Sequence, residues 1–309
     1  MNIIKRNNGN PILTKNDIPY PVATVHNAAV VKYNNQYIML FRAHRHNGRS
    51  VLGIARSDDG FKFRADPEHF MVPASQGYFA EYEEYGVEDP RITFIDDEYL
   101  ITYSAYSRYG VRIGLAQTSD FVKIKRLALI TQADCRNVVI FPEKFNGLYA
   151  RLDRPHSGIC PWSIWISYSP DLIHWGESRL IMKPLPYHWD EMKIGPGAPP
   201  FKTEKGWLHI YHGVFSTMDG GVYRLGVALH SLEDPAKVIG VADEWILQPE
   251  EIYEVTGYVH NVVFCCGAVP EEDDSVKIYW GGADKVMCVG EAKISDLVDL
   301  CLTRSRPAL

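Results

Sequence analysis

The sequence has no apolar run approaching the roughly 18–20 residues that span a bilayer, and its start, MNIIKRNNGNPIL, lacks the apolar core of a signal peptide. The expectation is a soluble, cytoplasmic protein with no membrane partner. Cysteine is scarce: Cys135, Cys160, Cys265, Cys266, Cys288 and Cys301 are scattered with no CxxC spacing. That pattern argues against zinc or redox motifs and predicts buried, reduced thiols. HExxH is absent and the 11 histidines are mostly scattered, so neither a metal nor another cofactor is expected. GxxxxGK[ST] and GxGxxG are both missing, which leaves a nucleotide-phosphate site little support. Basic residues are not in excess. With 32 Lys and Arg against 38 Asp and Glu, the net charge of -6 gives no electrostatic case for a nucleic-acid partner. Helical periodicity is nearly absent too, the best candidate being AKISDLVDLCL near the C-terminus.

What the 309 residues do contain is 46% hydrophobic side chains, 12% aromatics, 24 Gly and 19 Pro. This is the composition of a globular chain of many short strands joined by turns, and aromatic platforms suit sugar faces as well as cores. One pattern recurs five times. A small apolar stretch leads through a polar turn into a strand where an aromatic is followed five residues later by a polar residue. The copies are NAAVVKYNNQYIMLFRA from Asn27, EDPRITFIDDEYLITYSA from Glu88, NVVIFPEKFNGLYARLDRP from Asn137, GPGAPPFKTEKGWLHIYHG from Gly195, and a looser NVVFCCGAVPEEDDSVKIYWGGAD from Asn261. ARSDDGFKF, AQTSDFVKI, SYSPDLIHW and ALHSLEDPAKV follow the first four, each reading as a strand, a tight Asp-containing turn and a further strand. The mean period of roughly 58 residues suits propeller blades with generous loops. The prediction is an all-β, five-bladed β-propeller forming one domain over residues 1–309, with a central funnel as its active site.

If inner strands end at equivalent heights around the axis, Arg42, Ser104, Arg154, His212 and the segment holding Asp284 converge in that funnel. GVEDPRIT, residues 86–93, opens the second blade with two acids before a proline. On an extended backbone Glu88 and Asp89 point opposite ways, so only one should face a ligand. Cations lie near other blade starts: Arg136 before the third, Arg154 in RLDRP, and Lys193 in DEMKIGPG. Together with His212 and Tyr223 they outline a site for a tetrahedral oxyanion such as phosphate. A carboxylic acid beside a phosphate site in an aromatic funnel points to glycosyl transfer to phosphate. Inverting glycosidases need a second carboxylate to activate water, whereas phosphate is already an anionic nucleophile. The cations would align it with the anomeric carbon and offset its repulsion from the acid.

VHNAAVV, LFRAHR, GVEDPRIT, FPEKFNGLYARLDRP, SIWISYSPDLIHWG, KIGPGAPPFKTEKGWLHIYHGV, VYRLGVAL, TGYVHNVVF and YWGGAD together resemble the inverting β-mannoside phosphorylases of glycoside hydrolase family 130, nearly end to end. The resemblance implies a five-bladed propeller in which Asp89 is the general acid, its proton travelling through the 3-hydroxyl of the mannose being cleaved. It implies phosphate, a co-substrate, attacking from the opposite face to release α-D-mannose 1-phosphate reversibly. Arg136, Arg154 and Lys193 match phosphate ligands, with His212 and Tyr223 at further phosphate-side positions. Asn27, Arg42 and Asp284 match residues that hold the mannosyl unit. Glu88 stands where some members carry Tyr, and is grouped with the substrate-binding residues. Members act on β-1,4-mannosyl-glucose or on β-1,4- or β-1,2-mannooligosaccharides, and this chain looks closer to the mannooligosaccharide enzymes. Loops 43–50, 74–86 and 185–192 are expected to present aromatics to the leaving sugar. Relatives are often homo-oligomers. Two alternatives stay open: a β-mannosidase using Glu143 or Glu88 as base, and a non-catalytic glycan-binding propeller.

Overall fold

A computed structural model describes residues 3–309, and the five repeats build the antiparallel four-stranded blades of a five-bladed β-propeller. Blade one comprises Thr24–Tyr33, Gln36–His44, Ser50–Ser57 and Arg64–Met71, and blade two Gly86–Ile95, Glu98–Ser107, Gly110–Thr118 and Lys125–Leu129. Blade three runs through Cys135–Phe145, Leu148–Pro155, Ile164–Ser169 and Gly176–Met182. In blade four the innermost strand is broken into Lys193–Pro196 and Phe201–Thr203, followed by Gly206–Thr217, Gly220–His230 and Val238–Ala242. Blade five has Val263–Pro270, Ser275–Gly282 and Val286–Lys293, completed by Lys5–Arg6 from the other end of the chain. Helix is confined to short segments, and the one expected near the C-terminus is present as Ile294–Thr303. Among the described residues no helix is long and apolar enough to cross a membrane.

The innermost and second strands are apolar without the alternation of a half-buried sheet because both of their faces are buried. Their period of two still operates, sending successive side chains to different neighbours. Met39 and Phe41 pack toward blade five with Tyr279 and Val289, whereas Ile38 and Leu40 pack toward blade two with Ile101 and Tyr103. Val138 and Ile140 face blade two, and Val139 and Phe141 face blade four. Blades four and five close the ring through Leu208, Ile210, Ile278 and Trp280. The outermost strands meet water and are correspondingly polar, as in Arg64–Met71.

The Asp-containing turns form as predicted. Asp59 Oδ1 accepts from the backbone N–H of Phe61 and Lys62, and Asp120 and Asp171 make the same pair of bonds in blades two and three. Two expectations are corrected. Arg42, Ser104, Arg154 and His212 lie on the second strand of their blades, each paired with the innermost strand, because the small apolar stretch that opens each repeat is itself the axial strand. Arg136 and Lys193 belong to those axial strands and do not precede them. Also, Cys160 is exposed, unlike the other five cysteines, because it sits in the loop after Leu148–Pro155.

The closing strand is fixed by charge. Arg6 donates through Nε and NH2 to the fully buried Glu254 at 3.0 and 2.7 Å, and Trp280 donates to the same carboxylate at 3.1 Å. Removing one member of a buried pair strands the other, at a cost of about 3–5 kcal/mol. Arg6→Ala is therefore expected to lower the thermal unfolding midpoint by several degrees, measured by calorimetry; an unchanged midpoint would show that the closing strand does not depend on this pair.

Candidate functional site

The axial strands do not run straight to their ends. Asn27, Asp89 and Asn137 have φ of 50°, 49° and 61°, and each sits at a register shift: between His26 and Ala29, Glu88 and Arg91, and Arg136 and Val139. A left-handed bulge of this kind favours Asn and Asp over other non-glycine residues, which accounts for the residue type at the first position of repeats one and three and the second position of repeat two. It also cancels the alternation expected of extended backbone. Glu88 Oε1 and Asp89 Oδ1 both reach the Arg42 guanidinium, at 2.8 and 3.2 Å, so the two acids do not point opposite ways at the bulge, although of the two only Asp89 lines the axial cavity, as expected of a single ligand-facing acid. Arg91 donates to the backbone carbonyl of Asp89, not to its carboxylate.

These bulges surround a cavity of about 360 Å³ on the propeller axis. Blades one, two and five contribute Asn27, Arg42, Asp89 and Asp284; blades three and four contribute Arg136, Arg154, Lys193 and Tyr223. Eight of the ten residues singled out from the sequence thus line one cavity. The remaining two lie behind it. Glu88 is buried against Arg42 and Ser50, with Arg136 at 3.5 Å, and His212 is buried with its Nε2 3.1 Å from Arg154 NH1. Ser104 is buried as well, its hydroxyl without a partner, and does not line the cavity. Asn137, His156, Trp162, Val259, Val262 and Phe264 do, and were not anticipated. Asn137 heads the third repeat in the position of Asn27 and Asp89, so the repeat alignment already contained it. His156 and Trp162 follow RLDRP in an irregular segment with no counterpart in other repeats.

The two sides of the cavity differ in charge. On the acidic side Asn27 Nδ2 donates to Asp89 Oδ1 at 2.9 Å. Burial alone would raise the Asp89 carboxyl, but Arg42, Arg91, the Asn27 amide and Arg136 outweigh it and hold it well below the usual carboxylate range. Asp284 moves the other way. Burial, joined by Asp89 and Glu88 and only partly opposed by Arg42, raises it to about 6.

On the basic side Arg154 and Lys193 form no ion pair among the described residues, although Arg154 is only 4% exposed. Burial, with Arg136 and Arg91 adding to it against Tyr223, brings the Arg154 guanidinium down to about 10, so it remains charged at neutral pH. Since a guanidinium only donates, His212 and His156 must accept from it through Nε2 and are neutral. Burial and neighbouring cations accordingly hold His212 well below its ordinary value and His156 at about 4. Positive charge left unmatched in a buried cleft is suited to an anion. Glu143 is exposed, paired with Lys202 at 2.7 Å, and outside the cavity. Among the described residues no cluster of three or more His, Cys, Asp or Glu is placed to hold a metal ion.

The three loops expected at the mouth behave differently. The segment 74–86 carries the short helix Tyr78–Tyr82 with exposed Tyr78, and residues 43–50 form the turn into the third strand of blade one. In 185–192, by contrast, Trp189 is buried with its Nε1 bonded to the Asp243 carbonyl, and Asp190 pairs with Arg306, so this loop anchors the C-terminal segment and of its two large aromatics leaves Tyr187 exposed.

A profile of glycoside hydrolase family 130, described as β-1,4-mannooligosaccharide phosphorylase, matches residues 2–303. The 1,2-β-oligomannan phosphorylase of Thermoanaerobacter sp. (strain X514) is 36% identical over 305 residues, covering 95% of this chain and 98% of that protein. The β-1,4-mannooligosaccharide phosphorylase of Ruminococcus albus is 33% identical, covering 98% and 92%. Among solved structures, the β-1,2-mannobiose phosphorylase of Listeria innocua in complex with β-1,2-mannobiose superposes with a TM-score of 0.89 at 32% identity, covering 96% of this chain and 99% of that one.

Asp284 provides a test of the acidic side. Its raised value means the folded protein binds more protons than the unfolded chain between about pH 4 and 6, so its contribution to stability is present at low pH and is lost as pH rises through about 6. Asp284→Asn, which cannot ionise, is expected to be more stable than the native protein at pH 7.5, by on the order of 1–3 kcal/mol, and to lose that advantage below about pH 4. Urea unfolding at the two pH values measures this; a difference independent of pH would contradict it.

Proposed function

The chain belongs to glycoside hydrolase family 130, and on that basis we propose that it is a β-mannoside phosphorylase, cleaving β-1,2- or β-1,4-linked mannooligosaccharides with inorganic phosphate, with residues 1–309 as one cytoplasmic catalytic domain. The observation that carries the reading is the pair of cations without an ion pair, buried Arg154 and half-buried Lys193, in the same cavity as Asp89. Asn27, Arg42 and Asp284 hold the mannosyl unit. Arg136, Arg154, Lys193 and Tyr223 receive phosphate, with His212 fixing Arg154 from behind. Glu88 acts on substrate only through Arg42, which it orients.

Phosphate oxygen forms the new bond to the anomeric carbon as the bond from that carbon to the leaving oxygen breaks. Asp89 supplies the proton that the leaving oxygen takes, passed through the 3-hydroxyl of the mannose. Attack opposite the leaving group inverts the β-linkage and yields α-D-mannose 1-phosphate and a shortened acceptor. With only the protein's charges around it Asp89 is ionised. A phosphate dianion beside Arg136 and Arg154 offsets part of the positive field that keeps it so, which couples arrival of the nucleophile to protonation of the acid. The reaction runs in both directions because a glycosyl phosphate replaces one acetal linkage with another reactive one. Neither candidate hydrolytic base favours water as nucleophile: Glu143 lies outside the cavity, and Glu88 is bonded to Arg42 and Ser50.

Mannobiose consumption is expected to require phosphate. Arg154→Ala and Lys193→Ala are expected to raise KM for phosphate roughly 10- to 100-fold while changing KM for the mannoside little, since each removes charge-assisted hydrogen bonds to the anion alone. Asp89→Asn is expected to lower kcat by about 100-fold or more. Mannose release that ignores phosphate would overturn the assignment. Acceptor screening from mannose 1-phosphate, followed by determination of the product linkage, identifies the preferred bond.

A further inference from the structure

The phosphate reading raises a structural question: what keeps Arg154 and Lys193 in place when no carboxylate does so? At three places outside the cavity the protein fixes an arginine with an acid. Arg6 has Glu254, Arg151 has Asp153, and Arg306 has Asp190. Around the two phosphate-side cations stands the indole of Trp162. The Arg154 guanidinium lies 5.3 Å and the Lys193 ammonium 4.9 Å from its ring centroid. His156, which accepts from Arg154 NH2 at 3.3 Å, stacks on the same indole with centroids 4.0 Å apart and planes 9° from parallel. Tyr223 offers Lys193 a second ring at 5.2 Å.

We infer that Trp162 is a positioning residue of the phosphate site, its indole face holding Arg154 and Lys193 in place of a carboxylate so that both keep their full charge for the incoming anion. This rests on the phosphate reading above. A ring quadrupole attracts a cation without neutralising it, whereas an acid at the same place would compete with phosphate for the charges it oriented. The indole is itself anchored to the strand it serves. Ile194 N–H donates to the Trp162 carbonyl at 2.9 Å, Trp162 and Lys193 form a parallel bridge, and Trp162 Nε1 donates to the Ser157 carbonyl at 3.0 Å. Trp162 lines the cavity and takes no part in the hydrophobic clusters between blades, so its ring is not a core filler.

The test separates a π face from mere bulk. Trp162→Phe keeps an aromatic face, and Trp162→Leu keeps apolar volume without one. Phosphate and mannoside KM are measured for both, with Arg154→Ala and Lys193→Ala as references and thermal midpoints as the check on folding. The leucine variant is expected to raise phosphate KM at least about fivefold and the phenylalanine variant less than about twofold, with mannoside KM little changed in either. Equal phosphate KM in the two variants, or parallel rises in both KM values, would overturn the role of Trp162. If the Arg154 and Lys193 references also leave phosphate KM unchanged, the phosphate site itself is misassigned; if they raise it and Trp162→Leu does not, only the positioning role fails. Should the leucine variant not fold, Trp162→Met is measured in its place and read in the same way.

Discussion

A left-handed residue at the bulge of an axial strand is the constraint on which the site depends. Without the positive φ at Asp89, the strand would continue its alternation and turn that carboxylate away from Glu88, Arg42 and the axis. The same device at Asn27 brings an amide to 2.9 Å from Asp89, and at Asn137 it presents an acceptor 3.2 Å from Arg91. Strain of this kind persists only where the surroundings over-determine it. Here those surroundings are the tightly packed second strands on one side and the apolar clusters between blades on the other. The fold therefore does more than enclose a funnel: its repeated irregularity aims the side chains that line it.

Charge is divided across the cavity by blade. Acids from blades two and five share one guanidinium, Arg42, while blades three and four supply Arg154 and Lys193, which have no matching acid. Arg136 bridges the halves through Glu88 at 3.5 Å. Both halves carry a cost to the folded state, as a crowded carboxylate in Asp284 and as desolvated positive charge in Arg154, and groups so perturbed cluster at sites built for chemistry. In the proposed phosphorolysis this division lets a proton donor and a nucleophile-binding surface share one cavity without neutralising each other.

The fold was legible because its signal repeats. Five copies of an apolar run followed by a polar residue, with an Asp-turn after four of them, identify blades even though each strand alone is ambiguous. Arg42, Arg154 and Asp284 were legible for the same reason, being polar residues in register, although the same register also picked out Ser104, which does not line the cavity, and Asp89 was marked instead by the GVEDPRIT motif. The strand that carries Arg42, Arg154 and His212 was misassigned because a fully buried axial strand has no alternation to mark it. The simultaneous approach of Glu88 and Asp89 to Arg42 depends on one dihedral angle that extended-strand reasoning does not contain. Trp162 and His156 occur in a segment unique to blade three, where repetition gives no guidance, and the aromatic pull of Trp189 was credited to the mouth although its indole is buried against Asp243.

At the centre of this account is phosphate, held by cations of which Arg154 and Lys193 have no acid to neutralise them, attacking the anomeric carbon from the face opposite the leaving sugar. Proton and phosphorus NMR of the first-formed product, recorded as the native protein turns over mannobiose in phosphate buffer, tests it most directly. The account predicts α-D-mannose 1-phosphate as the initial product; free mannose, or the β-anomer of the sugar phosphate, would contradict it.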